Sequence, residues 1–370
     1  MKKNIIKNIL SLCFIVLINK QAWCKIITVD NTLGSKAHTT SIQFAVDSLA
    51  SAGDTIIVMP SYSTYSNFTI KKRIFIYAGG HSNTIVNKDK KVYVSNVYLY
   101  TTATKSTTIM GFEISDLSIY GDYNRVLNNK IYSLNLYNSA SYNFIQGNVL
   151  ILQSISSYRP TLISIANAAY YNIISNNFIQ IHETSYTSRP MDASFISFGN
   201  SSNLITNNNF MEMVSGSSTL GTGITFFKYT YASIYNNIFW SNVKNRFPID
   251  TFYLGSDFKN NISYSVNSKL RNLPTSNFND TAVDWEGGYN SSILPFFRPE
   301  NLMKLKSTSV GYAQGTDSTQ IGIYGQNFNF SFEGNVPGVA VFEDFQVLNP
   351  IIKRGGRLKV RVKARKPQDN

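Results

Sequence analysis

The sequence predicts an all-β fold in which one chain winds short strands above one another as a parallel β-helix. Three observations carry this expectation. An Asn-rich phrase recurs six times, short apolar strands flank each copy, and no long stretch repeats its apolar residues every 3.6 positions as a helical solenoid would.

The strongest copies are Asn143-Phe-Ile145-Gln-Gly-Asn148, Asn172-Ile-Ile174-Ser-Asn-Asn177, Asn203-Leu-Ile205-Thr-Asn-Asn-Asn209 and Ser233-Ile234-Tyr-Asn-Asn237. Weaker copies flank them at Asn124 to Asn129 and Asp257 to Asn261, and the central isoleucines step by 29, 31 and 29 residues. A strand, an Asn corner and a second strand recurring at this interval suit a coil that returns above itself. Asn at a stacked corner tolerates a left-handed turn and can hydrogen-bond its counterparts above and below. The Ile, Val, Leu and Phe beside it suit pleated strands around a shared core. Abundance of Asn and Ile alone would explain the composition but not this phase.

Upstream, Ser41 to Ala50 places Ile42, Ala45, Val46 and Leu49 on one helical face behind a Ser or Thr cap, the amphipathic lid that an open solenoid end requires. Gly53-Asp54 then turns the chain into Thr55-Ile-Ile-Val-Met59, and strands follow at 68–70, 74–77 and 92–100.

Lys2, Lys3 and Lys7 precede an apolar run from Ile9 to Ile18 that is too short to span a bilayer, the order of a secretory signal. Cleavage after Cys24 makes 1–24 the signal peptide and leaves the mature chain without cysteine. Keeping Cys24 as a lipid-bearing first residue is the alternative, opposed by bulky Trp23. The formal charge of +13 is concentrated in that signal and in the segment from Lys353 to Lys366, so the body is close to neutral and nucleic acid is not an expected partner. No further transmembrane segment is read in the mature chain, which is expected to be an extracellular or cell-surface monomer.

Ser41-Ile-Gln-Phe-Ala-Val-Asp47, Gly53-Asp-Thr-Ile-Ile-Val-Met-Pro60, Tyr65 and Phe68-Thr-Ile70 resemble the opening of the pectate-lyase-like right-handed β-helix superfamily, apart from Ser61 where a glycine is common. Leu305-Lys-Ser-Thr-Ser309, Gly315, Asp317 and Gly322-Ile-Tyr-Gly325 are similar to the closing segment of extracellular β-helix proteins of Bacteroidetes. There the customary proline is missing and Gln326 replaces a glycine. The resemblance implies a right-handed, pectin lyase-like solenoid over 25–330, with this segment capping the far end. A short basic β tail follows over 331–370, where Arg354 to Ala364 alternates charged and apolar residues at period two. Its Lys/Arg face is read either as a contact for anionic glycan or outer membrane, or as a solvated edge that deters aggregation.

The resemblance also implies polysaccharide as the partner, acidic polymers included. Lyases of uronic-acid polymers need a Lys or Arg base, and hydrolases need paired carboxylates. Neither set is written plainly, and calcium enters only under the lyase reading. The best clusters are His182-Glu183 with Arg189-Pro-Met-Asp192, and Arg246-Phe-Pro-Ile-Asp250, which follow Asn177 and Asn237 at similar distances. Arg189, Asp192, Arg246, Asp250 and Lys228 are the catalytic candidates; His182, Glu183, Tyr186 and Lys244 are the substrate-binding ones. No metal site is expected. Arg–Asp pairs of this kind also make ordinary loop salt bridges. Tyr170, Tyr171, Tyr186, Tyr229, Tyr231, Tyr235, Phe226, Phe227 and Trp240 supply aromatic faces on which sugar rings pack, although alternation along strands turns about half of them inward. The chain is therefore expected to bind polysaccharide, with a uronic-acid lyase and a structural or adhesive surface protein as alternatives.

Overall fold

The structure, a computed structural model, describes residues 24–81, 90–100, 106–152, 161–184, 194–198, 200–215, 225–228, 231–241, 256–265, 272–286, 303–332, 334, 341–347 and 360–365. The segment read as a signal peptide, 1–24, lies outside them apart from Cys24, which is a free thiol.

Short strands stack in parallel on three sides. The first side is a ten-stranded sheet running from Ile26–Val29 to Asp257–Lys259. The other two sides belong to one sheet that divides at the seven-residue strand Glu113–Ile119. Its Glu113 and Ile114 pair with Lys130–Ile131, and from there side two continues through Val149–Leu152, Phe178–Thr184, Asn209–Ser215 and Ile238–Ser241. Its Leu117 to Ile119 pair with Leu134–Leu136, and side three continues through Thr161–Ile165, Ser194–Phe198 and Thr225–Lys228.

Period-two alternation sends one residue of each strand inward. On side one that position forms a single column, in which Ile145, Ile174, Ile205 and Ile234 stand in direct register and carry no exposed surface. The column extends up through Val126, Ile109, Ile76, Ile56 and Ile27, so the repeat read in the sequence continues where no Asn doublet marks it. Ser41 caps a helical turn at Ile42–Phe44 that widens into a π-turn over Ala45–Leu49, and Ile42, Ala45 and Val46 join the same core.

The corner between sides one and two divides its work between neighbours. The first residue of each pair takes the left-handed conformation: Asn128, Gly147, Asn176, Asn207, Asn236 and Asn260 all have φ between 50° and 69°. The second is fully buried and builds a ladder. Asn148 donates its backbone N–H and its Nδ2 to Asn177 Oδ1 at 2.9 and 3.0 Å, while Asn177 Nδ2 reaches Ile145 O and Asn208 Oδ1. The same pattern runs from Asn129 to Asn277. A second ladder, Asn124, Asn143, Asn172 and Asn203, lines the corner between sides three and one. Each rung satisfies a buried backbone N–H that a turn would otherwise strand without a partner.

Side two is apolar on its outer surface as well. Val149, Ile151, Phe178, Met211, Ile238, Trp240 and Ile262 face away from the main core and form a second cluster with Leu305, Ile321, Ile323, Phe330 and Phe332. The sequence reading placed this late segment over the far end. The contacts instead carry it back along side two, against the direction of winding. A Cβ on Gly311 would meet Ile262, one on Gly322 would meet Ile238, and Phe332 packs on Phe178. The left-handed asparagines hold this strap: Asn176 Nδ2 donates to Ile323 O and Gly325 O at 3.1 and 3.0 Å, and Asn236 exchanges two hydrogen bonds with Thr316. Gly147 replaces Asn in one coil because a Cβ there would strike Asn128 and the Phe328 ring. Beyond the strap, Val341–Val347 and Val360–Arg365 pair antiparallel as a separate hairpin. Among the described residues no helix is long and apolar enough to cross a membrane.

Candidate functional site

Among the described residues, side three carries a polar row on its outer surface, half-buried along most of its length and buried at Ser118. The row is Tyr98, Ser118, Asn135, Ser164 and Ser197 in continuous register. Asp116 organises the upper part, accepting hydrogen bonds from Ser118 Oγ at 3.0 Å and Asn135 Nδ2 at 3.2 Å. The row stays hydrophilic because its neighbours, Leu117, Leu134, Leu136 and Ile163, take the inward positions.

Two tyrosine stacks border this surface where side three turns into side one. Tyr100, Tyr120 and Tyr137 lie 4.3 and 4.2 Å apart with ring planes within 5°. Tyr123, Tyr142 and Tyr171 follow across the turn at 4.9 and 5.1 Å. The second set sits immediately before the ladder asparagines, and all three of its residues have φ near 57°, a conformation bulky residues seldom adopt. Asp122 accepts from the Ser141 backbone N–H, and Ser141 Oγ accepts from that of Tyr170, which ties successive turns together. Tyr142 and Tyr171 are about half exposed, at 47% and 53%.

Stacking decides what these rings offer. Their faces are spent on one another, so a ligand meets ring edges, a row of hydroxyls and only the outermost faces. Burial, and hydrogen bonds with Tyr100 and Tyr137, push the Tyr120 phenol well above the ordinary range. It is a neutral donor and acceptor, not a base. That chemistry suits sugar hydroxyls.

A second polar cluster lies on side two just past the end of the strap. Glu113, almost fully buried, accepts from Lys91 Nζ at 3.0 Å and from Tyr132 Oη at 2.8 Å, with Lys130 Nζ 3.7 Å away. Burial first, and then the charge of Glu113, raise the Tyr132 phenol. Beneath Gly334, His81 is buried with neither ring nitrogen hydrogen-bonded, and burial, aided by Lys130, lowers its pKa to about 3. Glu113 is fully engaged and His81 is sealed from solvent, so this cluster reads as scaffold.

Of the candidates named from sequence, Arg189, Asp192, Arg246, Asp250, Tyr186 and Lys244 lie outside the described residues. His182 and Glu183 fall within the strand Phe178–Thr184, paired with Met213 and Val214, instead of in a polar excursion. Lys228 is paired with Ser197 in backbone register on Thr225–Lys228, the last strand of side three. Trp240 belongs to the apolar cluster under the strap, and Tyr235 donates to Asp257. Among the described residues no three His, Cys, Asp or Glu side chains gather as a metal site. Sequence reasoning overlooked Tyr100, Tyr120, Tyr123, Tyr137 and Tyr142. The recurring Tyr-Asn step at 123–124, 142–143 and 171–172 was the available signal.

No family model matches the chain, and no curated protein does. Two solved chains match it. One, titled "Crystal structure of pectate lyase Pel9A", aligns over 81% of this chain and 96% of its own at 13% identity and a TM-score of 0.36.

Proposed function

We propose that this chain is a secreted or cell-surface right-handed parallel β-helix that binds polysaccharide along side three, with residues 1–24 removed on export and the helical turns at Ile42 to Leu49 closing the first coil. The observation that carries the reading is the polar row from Tyr98 to Ser197, edged by two tyrosine stacks that are exposed at every ring but the half-buried Tyr120. A flat strip of hydroxyls and amides with aromatic rims matches a linear glycan, which presents equatorial hydroxyls along its edges and C–H groups on its faces.

Affinity gel electrophoresis with pectate, alginate, glycosaminoglycan and neutral xylan tests it. Retention is expected in at least one gel, and the double variant Tyr137→Ala/Tyr142→Ala is expected to weaken it about tenfold. Equal migration of both proteins in every gel sinks the reading.

A second reading, lyase action on uronic-acid polymers, draws on the register position of Lys228, paired with Ser197 on the last strand of side three. A lysine base beside a bound uronide would abstract the proton next to its carboxylate. It predicts growth of the unsaturated-uronide ultraviolet band, with or without added calcium, that Lys228→Met abolishes.

A further inference from the structure

The basic hairpin after the strap has no part in the glycan surface on side three. Among the described residues its strands, Val341–Val347 and Val360–Arg365, pair with each other and with neither sheet of the solenoid. Direct partners in an antiparallel pair share a face. The register therefore puts Phe342, Phe345 and Val347 on one face with Ala364, Val362 and Val360, and Asp344 and Gln346 on the other with Lys363 and Arg361. Phe342 and Phe345 would fall on opposite faces of a regular strand, and the register shift between Phe342 and Asp344 brings them to the same one. From Lys353 to Lys366 the chain carries eight Lys and Arg, and from Phe345 to Gln368 it carries no Asp or Glu.

A lone two-stranded hairpin is marginal in water, so an apolar face of this extent calls for a cover. We infer that the hairpin docks on a lipid surface with anionic phosphate headgroups, its apolar face at the boundary of headgroups and acyl chains and its cations at the phosphates, independently of side three. Such a surface answers both faces at once. An acidic glycan would neutralise the cations but leave two phenylalanines and three valines in water. A second copy would cover the apolar face but bring two strongly cationic hairpins together. Lys and Arg stems reach past apolar surface to headgroup level, and each cation near an acidic membrane adds to the affinity.

Co-sedimentation of the full chain with vesicles of phosphatidylcholine, alone or mixed with phosphatidylglycerol, tests this, with light scattering to follow self-association. Binding to the acidic vesicles is expected to be at least about tenfold tighter than to the neutral ones. Arg361→Gln/Lys363→Gln/Arg365→Gln should lower it about a hundredfold, and Phe342→Ser/Phe345→Ser, at unchanged charge, about tenfold. Both variants should melt with the parent, because the hairpin joins neither solenoid sheet, and Tyr137→Ala/Tyr142→Ala should bind vesicles as the parent does. Equal binding to the two vesicles, or none to either, overturns the inference. A loss in only one of the two hairpin variants, or in neither, overturns it as well, since the contact would then not join charge with apolar burial. A dimer that the serine variant abolishes gives the apolar face to a second copy, and a lower melting temperature of that variant gives it to the solenoid; either result also overturns the inference.

Discussion

At the scale of the residue, adjacent asparagines perform different tasks. Asn176 bends the chain and grips the strap, whereas Asn177 joins the buried ladder. Asn177→Ala removes the acceptor of two Asn148 donors, both buried, and should cost about 3 kcal/mol in a urea midpoint analysis. Asn176→Gly keeps the turn and loses the two strap bonds and the half-buried bond from Gln146 Nε2, so a loss of about 1 kcal/mol is expected. Equal losses would show that the two positions are not distinct. His81 gives the pH dependence. Its folded pKa of about 3 lies below the ordinary 6.5, so on acidification the unfolded chain takes up a proton that the fold refuses. Its contribution is whole above pH 6.5 and declines toward pH 3. The variant His81→Leu should therefore show a shallower fall in melting temperature across that window. The ladder was legible from the phase of Asn, because hydrogen bonding between identical neighbours demands one residue type at one height. The division of labour was not, since both positions carry the same letter.

At the scale of the element, the inward column of side one was legible from Ile145, Ile174, Ile205 and Ile234 alone, because a shared core forces equal spacing along a stack. Side two was harder. Val149–Leu152 and Ile238–Ser241 are apolar at nearly every position, a pattern that signals burial on both faces. Without coordinates nothing tells which segment supplies the second cover. Ile323→Asp puts a charge into that interface and should release the strap, costing about 3 kcal/mol and raising the fluorescence of a hydrophobic dye. Unaltered dye binding would mean that side two is shielded by something else. The candidate site escaped for a related reason: Tyr120, Tyr137 and Tyr142 are distant in sequence from the polar clusters that drew attention, and only stacking brings them to one edge.

At the scale of the whole molecule, the charge of +13 is a poor guide to the proposed glycan surface. The row on side three presents mainly hydroxyls and amides, with Asp116 occupied by hydrogen bonds from Ser118 and Asn135, so retention on a glycan gel should change less than about twofold between low and high salt. A collapse with salt would shift the binding to the basic hairpin. The strap has a last consequence, for the way such a stack comes apart. Turns joined only to their neighbours can fray singly from an open end, as in a one-dimensional chain of weakly coupled units. Here the cord that is lashed from the level of Ile262 to that of Asn128 crosses several turns at once, so Ile238–Ser241 cannot loosen while Phe144–Gln146 stays tight. Amide hydrogen exchange in these two strands should accordingly proceed at matching rates and through one shared opening.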